Sequence, residues 1–376
     1  MELRKRLSNK SPLILPYIFA ATVMYVILHL FTIGGIHMVS MKDVSIRCGV
    51  SVATVSKALN GHTDISEATR NKIKTVAKEM GYSPNASART LKTNRSYDIG
   101  VLFADDARSG LTHDYFASVL DGFKVAAEER GYDITFINCN KNRSNRMSYL
   151  EHSRYRRLEG VVVACVPFSD PEVIELVESN IPVVTIDHVF NNCISISSDN
   201  VTGMRDLVTY IYQQGHRKIA YIHGYDSTVT RSRLSSFYNT MEKLHLYTPD
   251  EYLIQTGYRQ VQLAYHSTMQ LLQLVNPPTC IIYPDDYSAV GGMNAIRAMN
   301  LSIPEDISIA GYDGISIACQ MAPQLTTIKQ DTTQIGQLAA ERLIDLIEKP
   351  KTTLIEHIIV PGQLIEGKSV VTKEED

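Results

Sequence analysis

Two hydrophobic periods divide this chain. From residue 98 onward, short apolar runs alternate with longer stretches in which apolar residues recur every three or four positions. The runs at 98–103, 133–137, 160–165, 182–186, 218–222, 279–283 and 307–312 predict buried parallel strands, because a strand covered on both faces loses its alternation. The stretches at 116–130, 200–214, 235–245, 261–275, 289–300 and 331–348 predict amphipathic helices. That order builds open parallel sheets with helices on both faces, and about ten such units imply two sheets. No solenoid repeat or low-complexity segment interrupts it.

Ahead of residue 98 the pattern is wholly helical. Val44 and Cys48 share a face four residues apart, and Gly49 predicts the turn that ends their helix. Ser51 is placed to cap a second helix whose inward face is Val55 and Leu59. Val52, Ala53, Thr54, Ser56 and Lys57 then fall on or near the outer face. Small, hydroxyl and basic residues at the start of a second helix suit entry into a DNA groove. A third helix over 66–80 closes at Gly81.

Charge sharpens the division. The net charge of −3 conceals +6 on residues 38–97 and −12 on residues 98–376. A basic module on an acidic body points to a polyanionic partner for the module alone. The six cysteines form no CxxC pair and several sit in apolar runs, which fits buried thiols in a reducing compartment.

Residues 13–36 are mostly apolar and follow Arg4, Lys5, Arg6 and Lys10, as in a signal sequence or membrane span. A single span with the positive end inside would place a DNA-reading module outside the cytoplasm. Back-translation of Gly34-Gly35-Ile36-His37-Met38 allows a purine-rich ribosome-binding site and a short spacer. The expectation is therefore that residues 1–37 are a misread leader and that the native start is Met38 or Met41.

Residues after each predicted strand are candidate ligand contacts, since ligands of such sheets bind at the strands' carboxyl ends. They include Asp105, Asp106, Phe168, Ser169, Asp187, His188, Tyr225, Asp226, Asp285, Asp286 and Asp313. Carboxylates accept hydrogen bonds from sugar hydroxyls and aromatic faces cover a sugar ring. Each such Asp is equally placed to cap the following helix.

The stretch VSVATVSKALNG, followed by ISEATRNKIKTVAKEMGYSPNASARTLKT, resembles the head of the LacI/GalR repressor family over about 55 consecutive residues. Leu325–Asp331 (LTTIKQD), Ala310–Asp313 (AGYD) and Gly215–Ala220 (GHRKIA) resemble motifs of its core. The resemblance implies a two-subdomain core of doubly wound parallel sheets, like periplasmic sugar-binding proteins, behind a helix-turn-helix. It implies a DNA-binding domain over 38–83, a hinge over 84–97, and a core over 98–376 with crossovers near 197, 328 and 358. DNA contacts would come from Val52, Ala53, Thr54, Ser56, Lys57 and Asn60. In the hinge they would come from Asn85, Ala88, Arg89 and Leu91, with Leu91 wedged into a central base step. The effector would meet Tyr115, Phe116, Asp187, Arg231, Asp285, Asp313 and Gln330. Ser236 stands where the family has Gly, which leaves Arg231 and Arg233 both open, and loop 105–113 departs from the family pattern.

The function implied is a repressor: a cytoplasmic homodimer whose grip on operator DNA responds to a sugar or sugar phosphate. No cofactor, metal or membrane partner is expected. The alternative is an anchored or exported solute-binding receptor, which needs neither basic head nor hinge. An enzyme is disfavoured, since no GxxxxGK[ST], GxSxG or HExxH motif occurs, and no GxGxxG follows the first strand.

Overall fold

The structure is a computed structural model that describes residues 39–59, 64–83, 95–104, 110–137 and 146–373. The chain divides into two compact units, one ending at Asn94 and the other beginning at Arg95. The apolar run at 13–36, Asn60, and the hinge residues Asn85, Ala88, Arg89 and Leu91 lie outside the described residues, as do Asp105, Asp106 and Cys139.

The first unit holds helices α1 (Met41–Cys48), α2 (Val52–Leu59) and α3 (Glu67–Glu79). A reciprocal cap opens α1: the Asp43 amide donates to Ser40 Oγ, and the Ser40 amide donates to the Asp43 carboxylate. Gly49 ends it at φ 69°, a conformation costly for any residue with a Cβ, and its N–H bonds back to Ile46 and Ser45. The Thr54 amide donates to Ser51 Oγ at 3.0 Å, so α2 starts where the sequence placed it. Val44, Cys48, Val55, Ala58, Ile73 and Ala77 close a small core, in which i,i+3 and i,i+4 pairs of the three helices converge.

The second unit contains two parallel sheets. The first has β1 (Asp98–Phe103), β2 (Asp133–Phe136), β3 (Val161–Ala164), β4 (Val183–Ile186), β5 (Ile194–Ser198) and β11 (His357–Val360), ordered β11-β5-β4-β3-β1-β2. The other has β6 (Ile219–His223), β7 (Leu253–Gln255), β8 (Cys280–Ile282) and β9 (Ser308–Ala310), ordered β7-β6-β8-β9. Helices α4 (Asp114–Glu129), α5 (Tyr149–Arg156), α6 (Pro171–Val177) and α12 (Thr332–Glu348) belong with the first sheet. Helices α7 (Asn200–Gln213), α8 (Thr228–Lys243), α9 (Val261–Leu272), α10 (Asp286–Ala298) and α11 (Ser316–Gln320) belong with the second. The chain leaves the first subdomain after β5, returns between β10 (Thr327–Lys329) and α12, and leaves again between β11 and β12 (Gln363–Ile365). β10 and β12 pair antiparallel.

Each sheet has a switch point, between β1 and β3 and between β6 and β8, where successive connections turn to opposite faces. These points open a crevice at the strands' carboxyl ends. On the first subdomain, α4 and α12 cross in near-backbone contact. A Cβ on Gly336 would stand 2.0 Å from the Val119 carbonyl oxygen, and one on Gly122 would stand 2.5 Å from that of Thr333. The carboxylate of Glu159 fixes the start of the unit, receiving Arg95 Nε at 2.8 Å and the amides of Ser96 and Tyr97.

Several elements differ from the sequence pattern, among them β10, β11 and β12, which no predicted run covered. β5 reads Ile-Ser-Ile-Ser-Ser, yet it is buried along its length, because its serines face packed elements instead of water. α8 begins at Thr228, seven residues before the amphipathic stretch at 235–245, because Ser227 caps it: the Thr230 amide donates to Ser227 Oγ. Three-residue β7 has too short an apolar run to register as a strand.

Candidate functional site

On the head, the exposed start of α2 carries Val52 (44% exposed) and Ala53, with Lys57 one turn on. Thr54 is half-buried and its hydroxyl lies 2.8 Å from Ser51 Oγ. Lys57 holds Asp64 at 2.5 Å, both half-exposed, so its ammonium stays at the surface. Ser56 departs from the outer face expected for it: it is 8% exposed, because its position beside inward Val55 turns it toward the packed side. Ile46 (70% exposed) and Arg47 add an apolar and a basic group to the head's surface.

In the second unit, the crevice contains a cavity of about 480 Å³, an ordinary size for a small-molecule site. Both subdomains line it. Tyr115 and Phe116 come from the first turn of α4, at 5% and 8% exposure. Cys165, Phe168 and His188 follow β3 and β4, and the Phe168 and His188 rings stack 4.2 Å apart. The second subdomain contributes Tyr258, Arg259, Asp285, Asp313 and the two arginines of α8.

Asp187, Asp313, Arg233 and Gln330 form its polar floor. Gln330 Nε2 donates to Asp313 Oδ1 at 2.6 Å, and Arg233 Nη2 lies 3.8 Å from the same oxygen. Arg233 is 3% exposed, donates to Asn200 Oδ1 and the Pro284 carbonyl, and lies on the Tyr312 ring. Burial opposes its charge, but Tyr258, Tyr312 and Asp313 more than offset this, so its pKa lies above the usual value. Burial pushes the Asp313 carboxyl up to about 7, against the pull of Arg233. Burial also raises Asp187, whose Oδ2 receives the Tyr115 hydroxyl at 3.3 Å.

Asp285 and Arg231 sit differently from their neighbours. Asp285 caps α10: its oxygens receive the Ser288 amide and hydroxyl and the Arg259 amide, so it shapes the wall with acceptors already engaged. Asp286 is fully buried, receiving the Thr327 hydroxyl and the Ile315 amide. Arg231 lies at the rim, 71% exposed and paired in two bonds with Asp226. Two residues after it on α8, Arg233 points inward, which separates the two arginines that the sequence left open. Tyr258 and Arg259 had no sequence signal because the strand before them is so short.

Backbone strain gathers at the same place. Among non-glycine residues of positive φ are Cys165 (53°), Asp187 (62°), Arg259 (59°) and Asp313 (102°), all lining the crevice. Such conformations cost about 1–3 kcal/mol each and persist where surrounding structure dictates them, commonly at ligand sites. Here each turns a side chain inward just beyond a strand end.

Across the crevice, Arg259 Nη1 reaches Asp114 Oδ2 at 3.3 Å and Thr228 Oγ1 lies 3.2 Å from His188 Nδ1, so the two subdomains meet over the cavity. Among the described residues, no group of His, Cys, Asp and Glu is arranged to hold a metal ion, and no helix is long and apolar enough to cross a membrane.

A groove-reading helical head and a two-subdomain crevice define a DNA-binding regulator controlled by a small molecule. Comparison with known proteins gives the lineage. Residues 40–85 match the model of bacterial regulatory proteins of the lacI family, and residues 208–370 match that of a periplasmic binding protein-like domain. The HTH-type transcriptional repressor PurR of Salmonella paratyphi A is 31% identical over 340 residues, 89% of this chain and 97% of its own. The Lac repressor dimer bound to operator and the anti-inducer ONPF superposes with a TM-score of 0.77 at 25% identity, over 89% of this chain and 99% of that one. The regulator CelR in complex with cellobiose shares the fold, with a TM-score of 0.65 at 23% identity over 88% and 99% of the two chains. The chain belongs to the LacI family of transcription regulators, and the solute-receptor alternative is not favoured.

Proposed function

We propose that this regulator is a cytoplasmic homodimer that represses transcription from a pseudo-palindromic operator and answers to a carbohydrate held in the crevice. The observation that carries the effector class is the polar floor of Asp187, Asp313, Arg233 and Gln330 beneath the aromatic walls Tyr115, Phe116 and Phe168. Hydroxyls need acceptors and donors in close alternation, and the faces of a sugar ring need apolar cover. A relative of the same fold that is complexed with cellobiose supports the reading. Arg233, the inward arginine of α8, takes the effector-contacting role, with Arg231 at the rim.

In the head, Val52 and Ala53 read base edges while Thr54 and Lys57 hold phosphates. The hinge reading, with Asn85, Ala88, Arg89 and the Leu91 wedge, lies outside the described residues and rests on the family resemblance. The protein is not an enzyme. Its adjacent carboxylates favour this reading, since Asp285 is engaged in a helix cap and Asp286 is buried in structural bonds.

The test is selection of DNA fragments from a random pool by the full chain, then retardation assays with and without neutral carbohydrates. A two-fold symmetric site, its half-sites about one helical turn apart, is expected. An asymmetric site would remove the dimer reading. Retardation indifferent to every carbohydrate would remove the effector class.

A further inference from the structure

We infer that the crevice takes an uncharged, hydroxyl-rich effector and rejects phosphorylated or carboxylated counterparts of the same sugar. The inference rests on the carbohydrate reading and narrows it. Among the described residues three arginines line the cavity, and each already has partners. Arg231 is paired in two bonds with Asp226. Arg259 reaches Asp114 and lies over the Tyr287 ring at 4.0 Å. Arg233 is held by Asn200, Pro284 and Tyr312 with Asp313 beside it.

Among the described residues, four aspartates and no lysine line the same cavity. Burial, helped by Arg231, holds His188 below its usual pKa, so the imidazole beside the cavity supplies no cation at neutral pH. An anionic ligand would displace existing ion pairs and meet an excess of carboxylate in a poorly screened space. One acceptor is conspicuously open. Asp187 Oδ1 is buried and makes no hydrogen bond of good geometry among the described residues, although Oδ2 receives Tyr115 and the Ser198 amide also bears on this carboxylate. A buried carboxylate oxygen in that position calls for a donor from the ligand: a sugar hydroxyl supplies one, and an anionic group brought close to it would be repelled.

The experiment is calorimetric titration of the full chain with matched pairs: glucose and glucose 6-phosphate, ribose and ribose 5-phosphate, glucose and gluconate, with cellobiose and maltose as larger neutral probes. At least one neutral sugar should bind, with its charged partner at least about tenfold weaker. A charged partner binding as tightly as its parent overturns this inference and leaves the carbohydrate reading standing. Silence from every probe, neutral and charged, overturns the carbohydrate reading itself.

Asp187→Asn gives an independent sign. Losing a carboxylate acceptor should weaken a neutral sugar about tenfold, whereas relief of repulsion would strengthen an anion. A charged probe weakened as much as the neutral sugar would sink the inference. Should Asp187→Asn fail to fold, the matched pairs on the unmodified chain decide alone.

Discussion

Arg233 lies flat on Tyr312, its guanidinium carbon 3.5 Å from the ring centroid, while the next residue along, Asp313, faces the same arginine at 3.8 Å. One buried cation thus organises the floor of the effector crevice. It links α8 to the strained turn after β9, and through Gln330 to the crossover at β10. An effector seated there touches a segment that passes between both subdomains, a direct route from binding to subdomain geometry.

Removing that cation should separate ligand response from DNA binding. Arg233→Met is expected to weaken effector binding at least about 100-fold, and to cost about 3 kcal/mol of stability through the unpaired Asp313. Operator retardation without effector should persist. Arg231→Ala, at the exposed rim, should change affinity less than about threefold. Equal losses in the two variants, measured by titration calorimetry, would contradict this division.

The raised carboxyl of Asp313 gives stability a pH slope. Its folded pKa of about 7 exceeds the ordinary carboxylate value, so the folded chain keeps a proton that the unfolded chain has already released. The resulting stabilisation is complete below about pH 4 and declines as pH rises through 7. Asp187, Asp285 and Asp286, also raised by burial, act in the same direction. In urea unfolding of the ligand-free protein, stability should fall between pH 5 and 8, and Asp313→Asn should flatten that fall by about 1–3 kcal/mol. Parallel pH curves for the two proteins would refute the assignment.

The crossing of α4 and α12 tolerates no side chain. Gly336→Ala puts a methyl group 2.0 Å from the Val119 carbonyl oxygen, and backbone on both sides must move. A loss of about 2–3 kcal/mol is expected, visible as a melting temperature several degrees lower. An unchanged melting temperature would mean that the helices part without cost.

Lys57 should act through charge alone. Lys57→Ala is expected to weaken operator binding at low salt, to reduce the slope of log affinity against log salt by about one, and to leave base preference intact. A shifted consensus in the selected DNA would instead make Lys57 a base reader.

The head was legible in the sequence because its rules are local. Gly49 and Ser51 fix the turn between α1 and α2 by backbone conformation and capping, and the i,i+4 pairs fix which face is buried. Ser56 escaped these rules, since one turn of helix leaves its position on the border between faces and only packing decided it. Most strands were equally legible as apolar runs, but β2, predicted buried, lies at the sheet edge with both its ends exposed. Polar β5, three-residue β7 and the later β10, β11 and β12 were not, because their strand state comes from pairing with other strands.

The site divides along the same line. Sequence alone determined the fold class, the buried face of the head and a set of aspartates at strand ends, since those follow from period, composition and chain order. It could not say which of those aspartates keep an open acceptor. Asp285 is engaged at the start of α10, while Asp187 keeps one buried oxygen with no hydrogen bond of good geometry among the described residues. Nor could it choose between Arg231 and Arg233, two residues apart on one helix and opposite in exposure. Those choices belong to the tertiary structure, because burial and partner atoms from distant segments decide whether a charged group faces water, a helix end or a ligand.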